Sequence, residues 1–194
     1  MAHINIVVDG GFKQDELKKV QFAYKIQQVK NSLADFVYAP PGRINAGSFT
    51  REYNEKLGNR KLAAEVAELN GVVAALEAVD DIRNGYYMYP VEKTTVFIDS
   101  KDALRDIENC RHGIIKPIDN SYADRCRVEL LVKIQTLIKP SLTRFRVDFE
   151  KVDAHRTPSQ WQVPEGMSPE EFQDVMTMHA AVDSWVHAER NKEM

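Results

Sequence analysis

Polar and apolar side chains alternate weakly over residues 3–8 (HINIVV), turn apolar at Val7-Val8 and end at Asp9-Gly10-Gly11. This pattern, rich in β-branched residues, predicts a strand that becomes buried. The two glycines favour a turn or a close approach of another backbone. Residues 20–29 read as a second strand, with Phe22, Tyr24, Ile26 and Gln28 on one face. Residues 34–38 suggest a third, stopped by Pro40-Pro41-Gly42. Connections this short favour antiparallel pairing.

The period then changes. Residues 51–81 read as helical with a break at Gly58, and Leu62, Val66, Leu69, Val73 and Leu76 recur at steps of three or four before the turn signal Asn84-Gly85. Residues 94–98 form a short apolar run, as expected of an interior strand. Asp99-Ser100 follows, with Ser100 placed to cap a helix over 101–110. Residues 119–138 predict an amphipathic helix with Val128, Leu131, Ile134 and Ile138 inward, ended by Pro140. Residues 143–152 return to strand periodicity, with Phe145, Val147 and Phe149 on one face. Residues 153–166 are irregular, and 169–189 read as a helix broken near Met178. Three strands, a helix, a strand, helices, a strand and a last helix describe an α/β domain with a mixed five-stranded sheet flanked by helices. Nothing resembles an internal repeat or an interdomain linker, so one domain over residues 1–194 is expected.

Composition changes this picture little. The chain has 194 residues, 43% hydrophobic and 28% charged, enough for one substantial core. No stretch has the length and apolarity of a membrane span, and the first residues lack the pattern of a secretion signal, so the expectation is a cytoplasmic protein with no membrane partner. Cys110 and Cys126 do not form a metal-binding pair. The net charge of −3 does not mark a nucleic-acid binder, but its distribution is uneven. From Arg125 to Arg156 eight basic residues face four acidic ones, a net of +4; beyond Arg156 seven acidic face two basic, a net of −5. A positive stripe of this kind can contact phosphates.

Four carboxylates stand out from the elements that carry them. Asp9 and Asp99 each close an apolar strand, Glu68 lies among the apolar positions of the long helix, and Asp183 sits within Ala180-Ala181-Val182-Asp183-Ser184-Trp185. A charge among apolar neighbours is costly unless it is paired or binds a metal. Oxygen-only donors suit Mg²⁺ or Mn²⁺. Periodicity alone leaves each with an ordinary alternative: a turn or helix cap for the two strand-end aspartates, a solvent-facing stripe edge for Glu68 and Asp183.

In these residues the chain resembles the ribonuclease H family, cellular type 1 in particular. IVVDGGF is similar to the first strand and places Asp9 where the family has its first aspartate. AELNGVVAALEAV resembles the helix bearing the family's glutamate, here Glu68. TTVFIDSKDAL supplies the Asp-Ser after the fourth strand, here Asp99-Ser100. Asp183 matches the aspartate of the last helix, and VDAHR the strand end and mobile histidine, here His155. The resemblance implies a ribonuclease H-like fold and a two-metal-ion endonuclease, using Mg²⁺ or Mn²⁺ and no organic cofactor, that cuts the RNA strand of RNA–DNA hybrids. It implies Asp9, Glu68, Asp99 and Asp183 as metal ligands, with His155 assisting proton transfer or product release. Gly10, Gly11, Ser100, Lys101, Arg125, Arg127, Arg144 and Arg156 are the candidate substrate contacts.

The departures from the family pattern are specific. His155 and Asp183 lie 28 positions apart, farther than is usual, and residues 157–178, with Trp161, Pro164 and Pro169, read as an insertion. Trp161 there could stack on a base or pack within the insertion. Ala154 replaces a glycine before the histidine, and Ala64 and Glu65 stand where asparagines sense the RNA 2′-hydroxyl. The basic handle of many bacterial members has no counterpart. Two other classes therefore stay open: another nuclease on this fold, such as a 3′–5′ exonuclease or a resolvase-like enzyme, and an inactive relative that binds nucleic acid or protein.

Overall fold

A computed structural model describes residues 2–13, 17–28, 46–84, 91–139, 146–153 and 156–192. Among them the elements run β1 (Ala2–Phe12), β2 (Lys19–Gln28), β3 (Ala46–Glu52), α1 (Arg60–Asn84), β4 (Val91–Ile98), α2 (Lys101–Arg111), α3 (Tyr122–Ile138), β5 (Arg146–Lys151) and α4 (Pro169–Asn191), with a 3-10 turn at Pro158–Gln160. The sheet order is β3-β2-β1-β4-β5. β1, β2 and β3 pair antiparallel in sequence, while β4 pairs parallel with both β1 and β5. This mixed five-stranded sheet flanked by helices is the ribonuclease H-like arrangement that the resemblance implies.

Strand alternation divides the core in two. Ile4, Ile6 and Val8 of β1, with Val20, Phe22, Tyr24 and Ile26 of β2, pack under α1, α2 and α3. Val7, Ala23 and Phe97 face the other way and meet Phe172, Val175, Val182 and Val186 of α4. The predicted stripe of α1 is buried throughout, and Ala63, Ala67, Val72 and Ala75 are buried beside it, so the sheet and the other helices enclose most of the helix. Fully burying each large aliphatic of that stripe contributes about 1.5–3 kcal/mol. No helix among the described residues is long and apolar enough to cross a membrane.

Several boundaries differ from the sequence reading. β1 does not stop at Asp9 but runs to Phe12, because its pairing with β2 continues to Phe12↔Val20. The predicted strand at 34–38 lies outside the described residues; the third strand seen is β3, which takes Arg51 and Glu52 from the expected helix. The helix starts at Arg60 instead, after Gly58 in the left-handed region (φ +69°) and Asn59, whose Oδ1 accepts from Lys61 N and Leu62 N at 3.0 and 3.2 Å. α4 runs unbroken through Met178, with Met176, Met178, His179 and Val182 all buried. The expected insertion therefore contributes its second half to the first turns of α4.

Candidate metal centre

Asp9 lies on the middle strand, two residues beyond Val7 and so on the face toward α4. Its carboxyl shares side-chain hydrogen bonds with Asp183 of α4 and Glu68 of α1. Burial, followed by the bond to Asp183 and the charge there, pushes the Asp9 carboxyl up to about 7, against the lowering effect of Glu68 and the Gly10 N–H.

Gly10 explains how α1 comes so close. A Cβ built there would lie 2.4–2.6 Å from Ala67 C and O and Glu68 N, so only glycine lets the helix backbone rest against the strand. Glu68 is 7% exposed, and its Oε2 is buried with no hydrogen-bond donor among the described residues. Burial first, then the charge of and bond to Asp9, and then the charge of Asp99 raise its carboxyl well above the ordinary value. Asp99 follows β4, just past the parallel couple Val7↔Phe97, which brings it beside the end of β1. Asp183 is itself exposed, one residue after buried Val182. The fold thus brings Asp9, Glu68 and Asp183 into one hydrogen-bonded chain with Asp99 acting on Glu68. Among the described residues, no group of three or more His, Cys, Asp or Glu side chains is arranged to hold a metal ion. Carboxyls this close need a proton or a cation between them.

The expected substrate contacts disperse. Ser100 caps α2, its hydroxyl accepting from Ala103 N at 3.2 Å. Lys101 is exposed on the first turn of α2 and, with Lys151 and Arg156, surrounds Asp153. These cations, led by the Lys151 hydrogen bond, hold the Asp153 carboxyl below its ordinary range. Arg156 pairs with Asp153 at 3.2 Å. This basic group follows the ends of β4 and β5, on the Asp99 side of the site. Arg125 is exposed over the Tyr122 ring, in a cleft shared with Arg51 and Tyr53. Gly11 lies against Val186 and Arg190.

Arg127 is a correction. It is 2% exposed, and its guanidinium binds Asp106 at 2.8 Å, Asp124 at 3.0 Å and the Lys116 carbonyl. A cation so enclosed ties helices together and does not reach a polynucleotide. His155 and Arg144 lie outside the described residues. Trp161 packs edge-on against Phe172 at 5.9 Å, and its indole N–H donates to the Arg156 carbonyl.

The sequence reading missed two features. Glu65, read only as standing where the family has a 2′-hydroxyl-sensing asparagine, is 4% exposed and hydrogen-bonded to Asp106. Asp124 is fully buried; its Oδ2 accepts from Ile118 N, Asp119 N and Asn120 N at 2.6–3.0 Å. Its place one turn before Arg127 was the available signal.

No protein-family model matches the chain, and no curated protein does. Among solved structures it is similar to RNase H1 from the halophilic archaeon Halobacterium salinarum NRC-1, with 15% identity, 77% of this chain and 85% of that one covered, and a TM-score of 0.43. It is also similar to the foamy viral protease-reverse transcriptase in complex with dsDNA, at 10% identity, 96% and 94% coverage and a TM-score of 0.49. The solution structure of the PFV RNase H domain gives 11% identity, 96% and 94% coverage and a TM-score of 0.45. The fold assignment rests on the strand order and register described above.

Proposed function

We propose that this chain is a divalent-metal-dependent nuclease that hydrolyses the RNA strand of RNA–DNA hybrids. The observation that carries the reading is the meeting of Asp9, Glu68 and Asp183 in one hydrogen-bonded chain, with Asp99 within electrostatic reach of Glu68. Like charges forced together in this way need protons or cations between them.

The donor types, though not yet gathered around one point among the described residues, suit a divalent cation. All four donors are carboxylates, the hard oxygen ligands that Mg²⁺ and Mn²⁺ prefer, and the buried Glu68 Oε2 meets no hydrogen-bond donor among the described residues. Bound cations would supply Lewis acidity to the scissile phosphodiester. The chain's own part is to hold the acids. β1 fixes Asp9, the close contact at Gly10 seats Glu68, the end of β4 presents Asp99, and α4 brings in Asp183. Lys101, Arg125 and Arg156 would contact phosphates of the substrate. His155 keeps its proposed part in proton transfer.

A non-catalytic relative is the second reading, favoured by the lack of a ready metal-holding group among the described residues. One experiment separates the two: cleavage of end-labelled RNA–DNA hybrid, double-stranded RNA, duplex DNA and single strands with Mg²⁺, Mn²⁺ or EDTA. Internal cuts in the RNA of the hybrid, abolished by EDTA, support the lead reading. Mononucleotides released from an end point to an exonuclease, and no metal-dependent product on any substrate supports the non-catalytic relative.

A further inference from the structure

Behind the carboxylate site, α1, α2 and α3 are joined by a second buried polar group. Arg127 of α3 donates through Nη1 to Asp106 Oδ2 of α2 at 2.8 Å and through Nε to Asp124 Oδ1 at 3.0 Å. Arg105 Nε adds a contact of 3.2 Å to Asp106 Oδ1. Asp106 is thus fixed from the α3 side, and on the α1 side it shares a hydrogen bond with Glu65. Glu65 is 4% exposed, and its buried Oε1 meets no hydrogen-bond donor among the described residues.

We propose that Glu65 is a positioning residue whose hydrogen bond to Asp106 sets the spacing between Glu68 and Asp99. The proposal rests on the nuclease reading above. Its basis is the placement of Glu65 and Glu68 on α1, of Asp99 just before α2 and of Asp106 within it. Glu65 precedes Glu68 by three positions, less than one turn of α1, or roughly 4.5 Å of rise. Asp106 lies on α2, whose first turn begins directly after Asp99-Ser100. One link between the helices therefore fixes both candidate ligands. It also accounts for two buried carboxyls lying side by side away from the metal site, an arrangement that is costly unless a proton is shared between them.

That proton belongs to Glu65, since Asp106 faces two guanidinium groups. Burial first, then the Asp106 bond and charge and the Asp102 charge, push Glu65 up to about 9, with Arg127 opposing. Asp106 is held low: burial would raise it, but the Glu65 bond, Arg127 and Arg105 prevail. The charged groups facing Glu65 are Asp102, Arg105 and Asp106 of α2 and Arg127 of α3. Loss of the shared proton sets two anions against each other and opens the link.

The test compares the wild-type chain, Glu65→Gln and Glu65→Leu from pH 7 to 10 by Mg²⁺ calorimetry, hybrid cleavage and carboxyl ¹³C NMR of Glu65 in the metal-free protein. Expected are a Glu65 resonance titrating near 9 and wild-type Mg²⁺ affinity falling, relative to Glu65→Gln at the same pH, by up to about tenfold per pH unit above it. Glu65→Gln, which keeps a donor to Asp106 without a titrating proton, should hold its affinity and activity through that range. Glu65→Leu should bind Mg²⁺ about tenfold more weakly already at pH 7, an effect typical of lost ligand support. If Leu fails to fold, the wild-type and Gln profiles decide alone. Identical alkaline profiles for those two, or a Glu65 resonance titrating in the ordinary carboxylate range, would overturn the proposal. A wild-type chain that binds no Mg²⁺ at pH 7 overturns the nuclease reading first and the positioning role with it.

Discussion

Asp9 on the middle strand and Asp183 on the last helix share a side-chain hydrogen bond, although nearly the whole chain separates them in sequence. The bond itself raises the Asp9 carboxyl. The fold spends packing energy to hold acids together: α4 lies across β1 through Val7, Val182 and Val186, and α1 lies against it through Gly10 and Ala67. Such crowding of like charges is typical of sites that work by binding cations.

The charge of Asp99 acts on buried Glu68 in the direction that disfavours its ionisation. Asp99→Asn removes that charge while keeping the shape. We expect the metal-free variant to be as stable as the wild type within about 0.5 kcal/mol, or slightly more stable, by urea denaturation. Mg²⁺ binding should weaken in calorimetry, and hybrid cleavage should fall by at least about 100-fold, beyond the range usual for a residue that merely supports a ligand. Cleavage near the wild-type rate would remove Asp99 from the site.

Gly10→Ala tests how the glutamate is seated. The new methyl group would lie within 2.6 Å of the α1 backbone at Ala67 and Glu68, which no side-chain rotation can relieve. Overpacking of this kind costs about 1–3 kcal/mol, and more where backbone must move. We expect at least that loss in denaturant unfolding, together with weaker Mg²⁺ binding, because the displaced segment carries Glu68. Gly11→Ala is the control: its nearest neighbours are side-chain atoms at 3.4–3.5 Å, an ordinary contact distance, and it should be tolerated.

Much of this arrangement was legible in the chain. Phe22, Tyr24 and Ile26 alternate onto one buried face as read, and Leu62 through Leu76 mark the buried side of α1. The end of β1 was not legible, since Asp-Gly-Gly in isolation has the chemistry of a turn and only pairing with β2 keeps it extended. The start of α1 was missed for a related reason: residues 51–59 carry no strong period, and strand pairing of Arg51 with Val20 decides their form. Arg127 was misread although its signal was present, because it shares a stripe with Leu131, Ile134 and Ile138, all buried. Charge was given more weight than position. The Glu65–Asp106 bond could not be read at all, as it depends on how two helices dock.

Trp161 offered a choice between stacking on a base and packing within the protein. The ring meets Phe172 edge-on, and its N–H is already engaged by the Arg156 carbonyl. Trp161→Ala should therefore cost about 1–3 kcal/mol of stability, less than a fully buried tryptophan because the ring is only half-buried. It should speed proteolysis between Arg156 and Ser168 and leave affinity for an RNA–DNA hybrid, measured by fluorescence anisotropy, within about twofold. A tenfold loss of affinity without a loss of stability would return the ring to the substrate.

Asp124 makes the sharpest statement about pH. Burial would raise its carboxyl, but the N–H groups of Asp119, Ile118 and Asn120 and the Arg127 guanidinium together hold it below the ordinary 3.8. A carboxyl lowered by folding adds stability that is fully present above its unfolded value and is lost as pH falls through the native one. The acid limb of unfolding, below about pH 4, should thus contain a share from Asp124. Asp124→Ala should flatten that limb and cost about 3–5 kcal/mol near neutral pH, because Arg127 is left buried with a partner missing. Arg127→Met should cost a similar amount, because it takes from Asp106 and Asp124 the buried cation they share. If Arg127 served the substrate instead, its replacement would leave the melting temperature near that of the wild type and weaken binding in a salt-dependent way. Thermal unfolding at pH 3 and pH 7 and hybrid affinity at two salt concentrations distinguish the two outcomes.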